Sequence, residues 1–221
     1  MFKKCLFIIL VILAAGSLSA ADLTLGVYAG INLGWFSGDD WEDIIDAAEA
    51  YYGEASSESR LCFSIAGFLD IALSESFSLQ PELQFTSGKG GAKITDSVGD
   101  TVELTETINT LVIPVLGKYK IPAGKGKINI FGGPALIMIL GDIEYKEEYN
   151  IDGDTSTDTS TEEPDNKAGF GFTIGAGYEV PMGNGKFITD LCFSKSLTDF
   201  FDNDDTRLNT LGLNIGYGFN L

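Results

Sequence analysis

The sequence predicts an all-β protein, an eight-stranded antiparallel up-and-down transmembrane β-barrel following a cleaved signal peptide. Three observations carry that reading. Apolar residues recur with a period of two, the spacing of side chains along one face of a strand. The connections alternate between tight and long, as in a barrel with one plain rim and one elaborated rim. The face opposite the apolar one is polar, charged or glycine, the reverse of a soluble barrel, which fills its interior with large apolar side chains.

The opening M-F-K-K-C-L-F-I-I-L-V-I-L-A-A-G-S-L-S-A-A reads as a secretory signal peptide over residues 1–21. Lys3 and Lys4 give a positive start, Leu6 to Ala15 an apolar stretch too short to span a bilayer comfortably, and Ser17 to Ala21 a small-residue cleavage region. Cleavage is expected after Ala21, with Ala20 as the alternative. No charged flank follows that would mark an anchor, and no cysteine ends the stretch to carry a lipid. The remainder, 22–221, is expected to be one barrel domain.

Strands follow in order. In L-T-L-G-V-Y-A-G-I-N-L-G-W, Leu23, Leu25, Val27, Ala29, Ile31, Leu33 and Trp35 alternate with small or polar residues. Leu61 to Leu73 repeats the pattern, and Phe77 to Phe85 shows it most cleanly, with Ser78, Gln80, Glu82 and Gln84 on the second face. Further strands are expected at about Glu103 to Lys120, Lys127 to Leu140, Ala168 to Val180, Lys186 to Leu197 and Arg207 to Leu221. The strands around Val112 and Phe131 are apolar on both faces, so periodicity does not assign their facing. Pro114 and Pro134 conflict with a ladder, because proline donates no hydrogen bond and prefers edges or bulges.

Ser74-Glu75-Ser76, I-P-A-G-K-G and P-M-G-N-G are the tight turns. Long acidic loops are expected at about 37–59, 87–102, 141–167 and 198–206. In the first, D-D-W-E-D-I-I-D-A-A-E-A-Y-Y has the spacing of a short amphipathic helix. The third holds the low-complexity acidic run D-G-D-T-S-T-D-T-S-T-E-E-P-D-N.

Charge and composition then exclude several functions. The chain carries 14 basic and 32 acidic residues, and removing 1–21 leaves 12 against 32, a net charge of −20. Nucleic acid is not expected as a partner, since its phosphates would be repelled. There is no histidine, which removes Ser-His-Asp and Cys-His catalysis and the usual zinc sites. Cys62 and Cys192 could pair in an oxidising compartment, although their positions in separate strands argue against it.

Asp70, Glu82, Glu179 and Asp190 fall on the non-apolar face and, with Lys118, are expected to form a polar lumen network in which Lys118, Lys120 or Lys186 are the cationic partners. Trp35, Phe77, Phe85, Tyr119, Phe187, Tyr217 and Phe219 sit near strand ends, where interfacial girdles belong. Lys118, Lys120, Lys125 and Lys127 gather around one short turn, the side expected to face the cell interior.

The opening G-V-Y-A-G-I-N-L-G-W-F-S-G-D-D at 26–40, I-P-V-L-G-K-Y-K-I-P at 113–122, F-G-G-P-A-L at 131–136 and the final strand together resemble eight-stranded bacterial outer-membrane β-barrels, the outer-membrane β-barrel domain or PorT-like family. The resemblance covers essentially the whole mature chain. It implies a diderm outer membrane, periplasmic termini, and a C-terminal signal read by the barrel-assembly machinery. Asn214, Gly216, Phe219 and Leu221 match that signal, with Leu221 where the family often has Phe.

The expected function is a non-enzymatic integral barrel that displays acidic surface loops in a structural or interaction role. Its partners would be outer-membrane lipid, the assembly machinery and a cationic surface partner, with the barrel itself a monomer. No cofactor, metal or catalytic residue is expected. A small channel or transport component and a soluble periplasmic ligand-binding barrel are the alternatives. A surface enzyme would have to act without histidine.

Overall fold

The computed structural model describes residues 23–198 and 206–221. The expected signal peptide, and most of the loop expected at 198–206, lie outside the described residues. The elements are β1 (Leu23–Ser37), β2 (Gly53–Ala72), β3 (Phe77–Asp96), β4 (Thr101–Ala123), β5 (Gly126–Ile139), β6 (Ile143–Ile151), β7 (Asp154–Glu162), β8 (Ala168–Met182), β9 (Gly185–Ser196) and β10 (Arg207–Asn220), with helix α1 (Asp39–Tyr52) between β1 and β2.

Eight strands, β1 to β5 and β8 to β10, close into an antiparallel ring. Closure joins first strand to last, from Thr24 opposite Asn220 to Ser37 opposite Arg207. The Leu221 N–H extends it by donating to the Leu23 carbonyl at 3.0 Å. Every ring strand is thereby paired on both sides, which hydrocarbon demands of a backbone that has no water to bond.

The side chains settle which way the barrel faces. In β1, Leu25, Val27, Ile31 and Leu33 are exposed while Thr24, Tyr28 and Asn32 are buried. The same inversion holds where periodicity was silent: Lys118 and Phe131 point inward and are buried, Tyr119 and Ile130 outward and exposed. Each proline lacks a partner on one side only. The β3–β4 ladder skips Pro114, which still pairs Ala135, and the β4–β5 ladder skips Pro134, which still pairs Phe172.

The expected loops differ most from the structure. Segment 37–59 contains the expected helix, but β2 already begins at Gly53. Segment 87–102 is strand except for Ser97 to Asp100, where three backbone N–H groups donate to Asp96 Oδ1 at 2.9–3.0 Å. The glycines that read as a loop signal there are gaps for side chains. A Cβ on Gly90 would stand 2.5 Å from the Phe36 ring, and one on Gly88 2.6 Å from Leu208. Segment 141–167 is a hairpin, β6 to β7, turning on Asp152 and Gly153, both at positive φ (53° and 87°). Alternating threonines favour the extended chain, and β6 supplies the ladder.

The hairpin attaches to β4, whose residues 101–107 bond β3 on one side and β6 on the other. Beyond the ring, therefore, the wall continues as a five-stranded sheet, β2-β3-β4-β6-β7, with α1 packed against it.

Candidate functional site

From the tight-turn end upward, the lumen is first a charged layer. Lys120 Nζ and Lys186 Nζ both donate to Asp70 Oδ2, at 2.7 and 2.5 Å. Glu179 completes the group, 2.9 Å from Lys186 and 4.0 Å from Lys120. Two cations thus meet two carboxylates drawn from β2, β4, β8 and β9, so the layer ties opposite walls of the ring together.

A second layer lies above it. Tyr28 Oη and Gln80 Nε2 each donate to Glu82 at 2.6 Å, and Lys118 Nζ donates to Gln80 Oε1 at 3.1 Å while standing 5.5 Å from the centre of the Phe131 ring. Asp190 is buried near this layer and makes no ion pair among the described residues.

Of the five residues expected to form one network, Asp70 and Glu179 therefore meet through Lys120 and Lys186. Glu82 and Lys118 meet through Gln80, and Asp190 joins neither group. Lys118 and Lys120 are buried in the lumen and do not decorate the short turn, where Lys125 is exposed and Lys127 Nζ donates to the Glu75 carbonyl at 3.2 Å. Tyr28 went unread by pattern, although it shares the inward parity of Thr24 and Asn32.

Cys62 and Cys192 are free. Asn32 and Gly212 separate them along one row of the sheet, three strand spacings of about 4.8 Å, which is beyond disulfide reach. Above the second layer, a cavity of about 50 Å³ is lined by Thr86, Thr110, Thr173, Ser194 and Thr210 together with Val112, Ala135, Ile137 and Leu208, room for a water or two.

The mouth is closed by apolar packing. Phe36, Trp41, Ala92, Ile108, Ile139, Ile143 and Leu208 form one buried cluster, with Ile45 and Leu104 against it. Trp41 is the buried residue of α1, and its indole N–H donates to Ser57 Oγ at 3.1 Å.

Outside the ring the sheet is polar on its outer face. Arg60 bridges Glu58 and Glu103 at 3.2 and 3.3 Å, and Lys93 reaches Glu103 at 3.5 Å. Lys146 donates to Glu148 at 2.8 Å and holds that carboxyl below its ordinary range, while the hydrogen bond from Tyr149 to Glu147 raises the phenol. No group of three or more His, Cys, Asp or Glu able to hold a metal is assembled among the described residues.

Strand β7 ends this sheet, exposed at every residue from Asp154 to Glu162. Ile151 and Asp154 flank the two-residue turn, so theirs is a hydrogen-bonded pair and the next pair, Asn150 with Thr155, is not. By that alternation Thr155, Thr157, Thr159 and Thr161 turn their N–H and C=O groups to the free edge. Asp154, Asp158 and Glu162 share a face with Ser156 and Ser160. The Asp152-Gly153 pair is the sequence signal that marks this hairpin.

The closed antiparallel ring with its apolar residues outward agrees with a family model described as "Outer membrane protein beta-barrel domain", which matches residues 17–202. The chain belongs to the outer membrane protein beta-barrel domain family. It is accordingly an outer-membrane protein that crosses its bilayer with strands.

Among solved structures, the family member is similar to Ail, the attachment invasion locus protein of Yersinia pestis, at 12% identity over 89% of this chain and 98% of that one, TM-score 0.40. Neisserial surface protein A gives 12%, 89%, 97% and 0.43 on the same measures. OprG from Pseudomonas aeruginosa gives 9%, 90%, 95% and 0.43. No curated protein matches the sequence.

Proposed function

We propose that this chain is a non-enzymatic barrel whose working surface is the sheet and helix beyond the ring, and that the free edge of β7 takes up an extended cationic segment of another protein. The observation that carries the reading is the nine-residue exposed edge, Asp154–Glu162, with three carboxylates, no basic residue and, among the described residues, no strand paired to its outer side. Unpaired edges are templates for strand addition, and proteins that avoid it cover, twist or charge the edge. Here the charge is of one sign, so it repels a second acidic copy and attracts a basic strand.

The reading includes periplasmic termini and tight turns, with α1 and the hairpin outside the cell. It also includes a signal peptide over residues 1–21, and Asn214, Gly216, Phe219 and Leu221 as the assembly signal. The position of β10 beside β1 supports that last role, because the last strand made is the one that must find the first.

The test uses the mature protein refolded into lipid nanodiscs and a labelled peptide alternating lysine and threonine. Saturable binding that weakens with salt is expected, and Thr157→Pro with Thr159→Pro should weaken it at least about tenfold by removing edge donors that the hairpin does not use. Equal binding to the proline variant would refute strand addition.

A second reading, a small channel, is favoured by the cavity beneath the apolar mouth, where threonine and serine hydroxyls alternate with apolar side chains. Single-channel steps in planar bilayers from the unmodified protein, more frequent when Trp41 is replaced by alanine, would support it.

A further inference from the structure

The five-stranded sheet beyond the ring treats its acids differently on its two faces. On the outer face Glu58, Glu103 and Glu148 are each met by a cation, through Arg60, Lys93 and Lys146. The register fixes which residues share the other face. Ser57 lies opposite Ala92, Ala92 opposite Leu104, Leu104 opposite Glu147 and Glu147 opposite Asp158. Side chains along such a row point the same way, and the bond from the Trp41 indole to Ser57 makes this the face that carries α1.

Helix α1 packs over β2 and β3, which leaves the β6 and β7 half of this face open. Four carboxylates stand there, Glu147 from β6 and Asp154, Asp158 and Glu162 from β7. None has an ion-pair partner among the described residues, and no hairpin residue sharing the face is basic. Glu147 and Asp158 are directly opposite, an arrangement in which like charges destabilise the pair. The Tyr149 hydroxyl donates to Glu147 and holds it on this face, half-buried beside the fully exposed β7.

Any strand that pairs with the free edge of β7 extends these rows. Asp154, Asp158 and Glu162 are four residues apart, about 13 Å of strand, so the residues opposite them are also four apart and on one face, in either strand direction. The residue opposite Asp158 lies about 10 Å, two strand spacings, from Glu147, a span that a lysine or arginine and a glutamate cover between them. From this geometry we infer that the segment taken up at β7 carries basic side chains four residues apart on the α1 face, the central one shared by Asp158 and Glu147. The inference rests on strand addition at the β7 edge. One cation at that point offsets the repulsion within the acidic pair, and a basic residue on the opposite face meets only the threonines of β7.

The experiment compares two labelled nine-residue peptides on the mature protein in lipid nanodiscs, each with three lysines among threonines and serines. In the first peptide the lysines stand at positions one, five and nine. In the second the middle lysine moves to position four, which turns it to the other face. The first should bind at least about fivefold tighter. Glu147→Gln should weaken the first by about threefold or more and change the second by less than about twofold. Glu144→Gln removes the same charge from the outer face of β6 and should change either by less than about twofold.

Equal affinity of the two peptides, with both weakened by Thr157→Pro with Thr159→Pro, overturns the inference and leaves strand addition standing. If neither peptide binds saturably, strand addition falls and the inference falls with it. Equal losses from Glu147→Gln and Glu144→Gln would reduce Glu147 to a distant charge and overturn its share in the cation. The comparison of the two peptides needs no variant, so it stands whatever the substitutions do to folding.

Discussion

Strand β4 runs through two different molecules. Within the ring its outward residues are Leu111, Ile113, Val115, Tyr119 and Ile121, and its inward ones include Lys118 and Lys120. Above the ring the parity is unchanged but the chemistry exchanges: Ile108 and Leu104 pack inward, and Glu103, Thr105, Thr107 and Asn109 face out. Strand β3 changes at the same height, between Phe85 and Ser87, which pair with Leu111 and Asn109. One continuous pleat is therefore inside out below that row and ordinary above it. The lesson is that a strand's alternation fixes only which residues share a face, and the solvent decides which face is apolar.

The contrast can be broken at several points. The largest effect is expected in the lumen, where Asp70→Leu leaves Lys120 and Lys186 short of a carboxylate and should cost about 3–5 kcal/mol in urea unfolding from liposomes. Next comes a charge in the lipid belt. Ile113→Lys should destabilise by about 2–4 kcal/mol, while Thr105→Lys, same strand and same parity but above the boundary, should stay within about 0.5 kcal/mol. Equal costs for the two lysines would remove the boundary.

Trp41→Ala should release α1 without opening the ring. Hydrogen exchange is expected to speed at residues 39–52, while the heat-dependent shift of the folded band on a denaturing gel persists. Loss of that shift would mean that the mouth cluster holds the barrel itself together. The smallest effect is at Asp190, a buried carboxylate outside both networks. Asp190→Asn should be neutral or stabilising by up to about 1 kcal/mol, and a large loss would place it in the charged layer after all.

Much of this was legible in the residues. Alternation in β1 and in Phe77 to Phe85 marked the ring strands, and the spacing of Trp41, Ile44, Ile45 and Ala48 marked α1. The polar boundary of β4 is written as Thr101, Glu103, Thr105, Thr107 and Asn109 followed by Leu111, yet reading it requires knowing that both stretches belong to one strand. The G-K-G-G segment at 88–91 misled because glycine signals a turn locally, whereas Phe36 and Leu208 need the empty space there.

By itself, then, the sequence determined which residues share a face in the cleanly alternating strands and made lipid the expected neighbour of the apolar one, because periodicity and composition are properties of the chain alone. Only the tertiary structure decided which charges meet. Asp70 and Lys186 are 116 residues apart, and their contact exists only because closure brings β2 and β9 to one lumen. It also decided that the acidic run at 154–162 is an edge strand, since a ladder depends on a partner that local sequence cannot name.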